Sequence, residues 1–147
     1  MYRVLLVDDD PTILLLLSKI VSSRGWEPLL ARSGREALSS IHRADVDVVV
    51  TDFSMPGMDG LEVLGALHAR DHELPVILLT GNCSERLFDL AMDAGAYRCL
   101  AKPFELAQLT DAIASALAAA RPRRRNLPAR EGTSEQDRRQ RLVDAAG

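Results

Sequence analysis

The chain has 147 residues, of which 47% are hydrophobic and 27% charged, a composition that suits one globular domain with a single core. It contains no run of about 18 apolar residues, so we expect no membrane-spanning helix. The two cysteines, Cys83 and Cys99, form neither a disulfide framework nor a metal quartet. We therefore expect a reduced, cytoplasmic protein without a signal peptide.

Charge is distributed unevenly along the chain. Residues 1–120 hold 10 Lys and Arg against 17 Asp and Glu, whereas residues 121–147 hold 8 Arg against 4 acidic residues. The second segment is also rich in polar residues and contains Pro122 and Pro128. The sequence predicts a domain over 1–120 and a basic tail or linker over 121–147. We expect this tail to be solvated rather than to bind nucleic acid.

Short apolar segments alternate with helical patterns in the first 120 residues. The apolar runs predict buried parallel strands at 3–7, 27–31, 47–51, 75–80 and 97–101. The intervening patterns predict helices from Pro11 to just before Gly25, and over 34–43, 60–69, 85–94 and 105–119.

The helix starts support this division. Asp10 before Pro11 is a typical helix cap, and Ser33 with Glu36 predicts a capping box. Asp59 and Ser84 are the corresponding caps of the third and fourth helices. The order of elements predicts an α/β, doubly wound (βα)5 fold with a five-stranded parallel sheet in the flavodoxin-like order 2-1-3-4-5.

Polar residues follow the predicted strands at their carboxyl ends, where such sheets bind ligands. They are Asp8 and Asp9 after the first strand, Asp52 after the third, Thr80 at the end of the fourth and Lys102 after the fifth. Clustered carboxylates suit Mg²⁺, which prefers oxygen ligands. A carboxylate beside a cation, a lysine and a hydroxyl can accept a phosphoryl group.

Two families fit the opening strand. VLLVDDDPT resembles the DxDxT motif of haloacid-dehalogenase-like phosphatases, which implies Asp8 as nucleophile, Asp10 as acid/base and Lys102 as their lysine. Those phosphatases also carry an acidic pair on a later strand. Only Glu105, Asp111 and the tail supply acidic residues after Lys102, which weakens this alternative.

The rest of the chain resembles the receiver domain of bacterial response regulators. DVVVTDFSMPGMDGLEVL (47–64) is similar to the receiver's phosphoacceptor region, and AGAYRCLAKPF (94–104) to its fifth strand and Lys-Pro-Phe. Together with the acidic pair after the first strand, the resemblance covers about residues 2–120. It implies a phosphorylation-dependent signalling switch in a two-component phosphorelay rather than an enzyme in its own right.

The resemblance also implies the role of each carboxylate. Asp52 would be the phosphoacceptor, taking its phosphoryl group from a sensor histidine kinase or a histidine phosphotransfer protein. Asp9 would bind Mg²⁺ directly and Asp8 mainly through water, with Asp52 and the backbone carbonyl of Ser54 completing the protein ligands. Asp10 is better explained as the cap of the first helix.

Further residues would handle the bound phosphoryl group. Thr80 would bond one of its oxygens, and Lys102 would neutralise its charge. Ser54 and Asn82 occupy the positions that tune the lifetime of the phosphorylated form in this family.

The output of the switch departs from the family pattern at Cys99. Receivers usually carry an aromatic residue there, and cysteine is too small to act as a rotamer switch. Tyr97 is expected on the same strand face, so it is a candidate to substitute for that residue. The resemblance implies a downstream partner or a homodimer through the fourth helix, fifth strand and fifth helix. A scaffold that binds partners without phosphate is the remaining alternative, although the complete set of site residues argues against it.

Overall fold

Strands and helices alternate along the chain in the computed structural model, which describes residues 1–81 and 84–125. The strands are β1 (Arg3–Val7), β2 (Glu27–Ala31), β3 (Val48–Asp52), β4 (Val76–Thr80) and β5 (Arg98–Ala101). The helices are α1 (Pro11–Ser23), α2 (Gly34–Arg43), α3 (Gly60–Arg70), α4 (Glu85–Asp93) and α5 (Leu106–Arg125). Over these residues, no helix is both long and apolar enough to cross a membrane.

The five strands form one parallel sheet in the order β2-β1-β3-β4-β5, which confirms the predicted fold and strand order. The chain enters at β1, moves to one edge with β2 and then crosses back to β3. This reversal creates a crevice at the carboxyl ends of β1 and β3, which is the usual ligand position in such sheets.

The core lies on both faces of the sheet because alternate strand residues point to opposite sides. Leu6, Val50 and Ile77 pack on one face with α1 and α5. Leu5 and Val49 pack on the other face with α2, α3 and α4. The central strands β3 and β4 are buried along their whole length, as their continuous apolar runs predict.

Side chains near the helix starts accept hydrogen bonds from backbone N–H groups that lack helical partners. Asp10 accepts from the Thr12 N–H, and Asp59 and Glu62 form a complete capping box. Ser33 caps α2 as predicted, but Glu36 accepts from the Arg32 N–H rather than from that of Ser33. The capping box predicted at α2 is therefore only half formed, because the Glu36 carboxylate reaches one residue further back.

Some predicted boundaries shift by one residue, and one shifts by more. β3 extends through Asp52, so this residue ends the strand rather than following it. α5 continues to Arg125, past Pro122, whereas the sequence predicts an end near Ala119. Arginine favours helices, and a proline near a helix end removes only one backbone hydrogen bond of a long helix. The rest of the predicted tail, residues 126–147, lies outside the described residues.

The structure places Tyr97 and Cys99 on different faces of the sheet, so the prediction that they share a face is wrong. Tyr97 packs with the α1 and α5 cluster, whereas Cys99 packs with the cluster under α2, α3 and α4. Tyr97 precedes β5, which begins at Arg98, so regular strand alternation does not extend to it.

Candidate functional site at the carboxyl edge of the sheet

The sheet register brings the predicted acidic residues together. Val7, the last residue of β1, pairs with Thr51 of β3, so Asp8 and Asp52 follow neighbouring positions on adjacent strands. The Asp8 N–H also donates to the Ala31 carbonyl of β2, at 3.1 Å, which anchors the start of the loop after β1.

Asp8, Asp9 and Asp52 form an acidic cluster. One carboxylate oxygen from each of the three residues lies within 4.8 Å of the other two. Asp8 and Asp52 are buried, with 3% and 8% of their surfaces exposed, whereas Asp9 is exposed to solvent. The cluster therefore opens to solvent on the side of Asp9 and is enclosed by protein on the other side.

Asp8 is held in place by a contact that the sequence does not predict. Its Oδ1 accepts a hydrogen bond of 2.9 Å from the backbone N–H of Asp10. Burial raises the pKa of Asp8 above its ordinary value, and the nearby Asp52 charge acts in the same direction, while the Asp10 N–H and Lys102 oppose the rise. Asp10 thus supports the cluster through its backbone and caps α1 through its side chain.

Lys102 reaches the acidic cluster from β5. Its Nζ donates to Asp52 Oδ1 at 2.7 Å, and its side chain remains 35% exposed. The Lys102 backbone N–H donates to the Thr80 carbonyl at 2.7 Å, which ties the end of β5 to the end of β4. The Lys102 ammonium therefore reaches from the end of β5 across β4, which ends at the buried Thr80, to the Asp52 carboxylate at the end of β3.

The loop after Asp52 is held close to the sheet. The Gly60 N–H donates to the Phe53 carbonyl at 2.6 Å, and the Phe53 N–H donates to the Leu79 carbonyl at 2.8 Å. Met55 is buried, while Ser54 is exposed beside Asp52. A side chain at Gly60 would meet the Phe53 Cα at 2.9 Å, which explains why glycine follows the Asp59 cap.

The structure brings together Asp8, Asp9, Asp52 and Lys102, with Thr80 at the end of the neighbouring strand β4 and Ser54 in the loop after β3. Asn82 lies outside the described residues. Tyr97 and Cys99 lie away from this edge, because Tyr97 precedes β5 and Cys99 lies within it. The hydrogen bond from the Asp10 N–H to Asp8 was not predictable from the sequence, because it depends on the conformation of the loop after β1.

The arrangement combines three oxygen donors with one fixed ammonium group. The oxygen set suits a hard divalent cation such as Mg²⁺, which takes carboxylate ligands and keeps several waters. The Asp52 carboxylate touches the ammonium and faces the other two acids, as a phosphoryl acceptor requires. The geometry thus supports phosphoryl chemistry centred on Asp52 rather than on Asp8, since Lys102 bonds to Asp52.

Comparisons with known proteins agree with this geometry. The profile of the family described as response regulator receiver domain matches residues 4–114. The chain is 43% identical over 109 residues to the response regulator MprA of Mycolicibacterium vanbaalenii, covering 73% of this chain and 46% of MprA. It is 31% identical to the sporulation initiation phosphotransferase F of Bacillus subtilis, covering 76% of this chain and 90% of that protein.

A solved structure shows the same fold. The response regulator TrrA of Thermotoga maritima, in complex with Mg²⁺-BeF, aligns with a TM-score of 0.73 and 33% identity over 80% of this chain and all of TrrA. The chain spans between a quarter and about half of the length of regulators such as DctD of Pseudomonas aeruginosa and MprA.

The family match, the relatives and the fold agree with one another over the same residues, and they decide against the phosphatase alternative. The chain belongs to the response regulator receiver domain family, the aspartate-phosphorylated signalling module of two-component systems and not an enzyme of the usual kind.

Proposed function

We propose that Asp52 is the phosphoacceptor and that it takes its phosphoryl group from a phosphohistidine on a sensor histidine kinase or a histidine phosphotransfer protein. The observation that carries this proposal is the 2.7 Å contact between Lys102 Nζ and Asp52 Oδ1 inside a cluster of three carboxylates. The ion pair with Lys102 distinguishes Asp52 from Asp8, which is also buried, and from Asp9, which is exposed.

Mg²⁺ is the proposed cofactor. Asp8, Asp9 and Asp52 supply carboxylate oxygens that converge within 4.8 Å, and the backbone carbonyl of Ser54 is the fourth proposed ligand. When bound, the cation would neutralise charge on the acidic cluster and on the incoming phosphoryl oxygens. Asp9 is the proposed direct ligand and Asp8 the ligand that acts mainly through water.

In the proposed step, a carboxylate oxygen of Asp52 attacks phosphorus in line with the phosphorus–nitrogen bond. That bond breaks and its electron pair returns to the imidazole of the donor. Lys102 moves its contact from the carboxylate to a phosphoryl oxygen, and the Thr80 hydroxyl donates to another. Water later hydrolyses the acyl phosphate, and Ser54 and Asn82 are proposed to tune how fast this occurs.

The domain is proposed to assist its own phosphorylation and dephosphorylation. Its output is proposed to come from a surface that changes when Asp52 is phosphorylated. The proposed surface is made by α4, β5 and α5. On α4, Phe88, Leu90 and Met92 are exposed apolar side chains, and they favour contact with a downstream protein or a second copy of the chain. Tyr97 and Cys99 are the candidate coupling residues between this surface and Thr80.

We propose the domain boundary at residue 120 and a basic tail over 121–147, with nucleic acid and membrane insertion not required for function. The cytoplasm is the proposed location, where the proposed phosphohistidine donor would meet Asp52. A phosphate-independent scaffold is the competing hypothesis, and the experiment below separates the two.

The test is intact-mass spectrometry after incubation with acetyl phosphate, with Mg²⁺ or with EDTA. Wild type is compared with Asp52→Asn, and Asp8→Asn is the matched variant within the same cluster. We expect one labile 80 Da addition that requires Mg²⁺ and disappears in Asp52→Asn. Asp8→Asn should still be labelled, but at least about tenfold more slowly, because it weakens the cation site.

Two results would overturn the proposal. Labelling that persists in Asp52→Asn and vanishes in Asp8→Asn would make Asp8 the acceptor. If neither acetyl phosphate nor a phosphorylated histidine phosphotransfer protein labels the wild type, the scaffold hypothesis becomes the better account.

A further inference from the structure

A cationic cleft lies between α2 and α3, on the helix layer that covers one face of the sheet. Its volume is about 320 Å³, and it is lined by Arg35, Leu38, Ser39, His42, Arg43 and Arg70. Three of the ten basic residues of the acidic segment 1–120 thus line a single cleft, and none of its lining residues is acidic.

Helical periodicity explains why α2 forms one wall of the cleft. Its five lining residues are spaced at i, i+3, i+4, i+7 and i+8, which places them on one face of the helix. The opposite face carries the buried Gly34 and Ala37, which pack toward the sheet. Arg70 at the end of α3 completes the cleft from the neighbouring helix.

In the part of the chain that the structure describes, no ion pair neutralises the three guanidinium groups. Within residues 1–81 and 84–125, no carboxylate lies within 4.0 Å of Arg35, Arg43 or Arg70. Glu36 directly follows Arg35 and Asp71 directly follows Arg70, and their carboxylates accept from the backbone N–H groups of Arg32 and Glu73, at 3.1 Å and 3.2 Å. The cleft therefore presents several unpaired guanidinium forks, the groups that bind phosphate oxygens in bidentate geometry.

Helix dipoles account for only part of this cluster. Arg43 and Arg70 lie in the last turns of α2 and α3, where a cation is favourable. Arg35 lies in the first turn of α2, where the positive end of the dipole disfavours a cation. Its presence on the cleft wall is thus not explained by helix stability.

We propose that this cleft binds a compact anion that carries two or more phosphate groups, at a site separate from Asp52. Three guanidinium groups match more than one phosphate, and the cleft has the volume of a small-ligand site. The Ser39 hydroxyl adds a donor, and half-buried Leu38 adds an apolar contact for the organic part of such a ligand. A concave cleft of this size favours a small molecule over an extended nucleic acid.

The test is a titration of the full chain with inorganic pyrophosphate in EDTA, so that no divalent cation bridges the anion to the acidic cluster. Binding is measured by calorimetry and located by ¹H–¹⁵N spectra that include the arginine side-chain N–H signals. Arg43→Gln/Arg70→Gln is compared with Lys19→Gln/Arg86→Gln, which removes the same charge from outside the cleft. Arg35→Gln tests the first-turn arginine alone.

We expect saturable binding with signal changes at α2 and the end of α3. Affinity should fall at least tenfold in Arg43→Gln/Arg70→Gln and severalfold in Arg35→Gln, while the control pair stays within about twofold. Asp52→Asn should bind as the wild type does, so failure of this proposal leaves the phosphoacceptor proposal untouched.

Three results would overturn the inference. They are a weak, non-saturating response shared by both double variants, signal changes confined to Lys102 and its neighbours, and equal loss of affinity in the control pair. Binding of a polyglutamate peptide or single-stranded DNA through these arginines, without pyrophosphate binding, would replace the small anion with a macromolecular partner.

Discussion

At the scale of single residues, the negative charge of Asp8 is unfavourable for folding but is needed for the proposed Mg²⁺ site. It is buried beside two other carboxylates, and burial raises its pKa. The folded state therefore binds a proton at Asp8 more tightly than the unfolded state does. The stability that this proton confers is fully present below the unfolded pKa, near 3.8, and is lost as pH rises through the raised folded pKa.

Asp8→Asn is accordingly expected to raise the free energy of unfolding at pH 7 by on the order of 1 kcal/mol. The asparagine Oδ1 can still accept from the Asp10 N–H, so the substitution removes charge while keeping that contact. The gain should shrink as pH falls toward about 4, where protonation neutralises Asp8 in the wild type. Urea denaturation at several pH values in EDTA measures the difference.

Asp10→Asn is the control for charge alone, because Asp10 is exposed and an asparagine can still cap α1. A stabilisation by Asp8→Asn that is equal at pH 4 and pH 7 would contradict the assigned role of the buried charge. Adding Mg²⁺ should narrow the gap between the wild type and Asp8→Asn, since the cation stabilises the intact cluster.

At the scale of elements, the surroundings of α3 leave different amounts of space for a side chain at Gly60 and at Gly65. A Cβ at Gly60 would lie 2.9 Å from the backbone Cα of Phe53, whereas nothing lies within 4 Å of a Cβ at Gly65. Gly60→Ala is expected to lower the free energy of unfolding by about 2 kcal/mol, because the loop after Asp52 must move. Gly65→Ala, the matched control, should raise it by about 0.5–1 kcal/mol through helix propensity.

Thermal and urea unfolding of both variants provide the measurement, and acyl phosphate labelling reports whether the loop has shifted. Opposite signs for two glycine substitutions in one helix would identify the close approach as the cause. If Gly60→Ala proved as stable as the wild type, the loop could adapt, and the packing of Phe53 would not fix the position of Asp52.

Tyr97, which directly precedes β5, is linked to α5 by a side-chain hydrogen bond. Tyr97 Oη and Ser115 Oγ lie 2.6 Å apart, and the Arg98 guanidinium stacks on the Tyr97 ring at 4.6 Å from its centroid. Tyr97→Phe and Ser115→Ala are each expected to cost about 1 kcal/mol, and a double-mutant cycle should give a coupling energy of similar size. A coupling energy near zero would mean that the hydrogen bond contributes little to the fold.

The same variants test whether Tyr97 couples phosphorylation to the output surface. If it does, ¹H–¹⁵N signals of α4 and α5 that shift on phosphorylation should shift less in Tyr97→Phe, while Asp52 is labelled normally. Unchanged shifts would instead favour Cys99 or another route. Because Tyr97 and Cys99 pack on opposite faces of the sheet, their substitutions should act independently.

At the scale of the whole molecule, the fold was predictable where the hydrophobic pattern of the sequence and the rules of parallel-sheet topology lead to the same arrangement. Continuous apolar strands and capped helices predict the alternation, and a parallel sheet then brings Asp8, Asp52 and Lys102 to one edge. The sheet face on which Tyr97 packs was not predictable from strand alternation, because β5 begins at Arg98 and Tyr97 lies outside the strand. The hydrogen bond from the Asp10 N–H to Asp8 depends on the conformation of a loop, which no periodic pattern of the sequence predicts. The sequence predicts an end of α5 near Ala119, before Pro122, whereas the helix continues past this proline.

The domain boundary at residue 120 is testable through the core. Up to residue 119, the last buried side chains of α5 are Ala116 and Leu117, and residues 118 and 119 are exposed. A chain that ends at Ala120 is therefore expected to melt within about 2 °C of the full chain and to be labelled by acetyl phosphate at the same rate. A chain that ends at Ser115 loses both buried residues and should lose about 2 kcal/mol of stability. A large loss already at Ala120 would mean that residues beyond it stabilise the domain, because the core that α5 buries would then not be complete at Leu117.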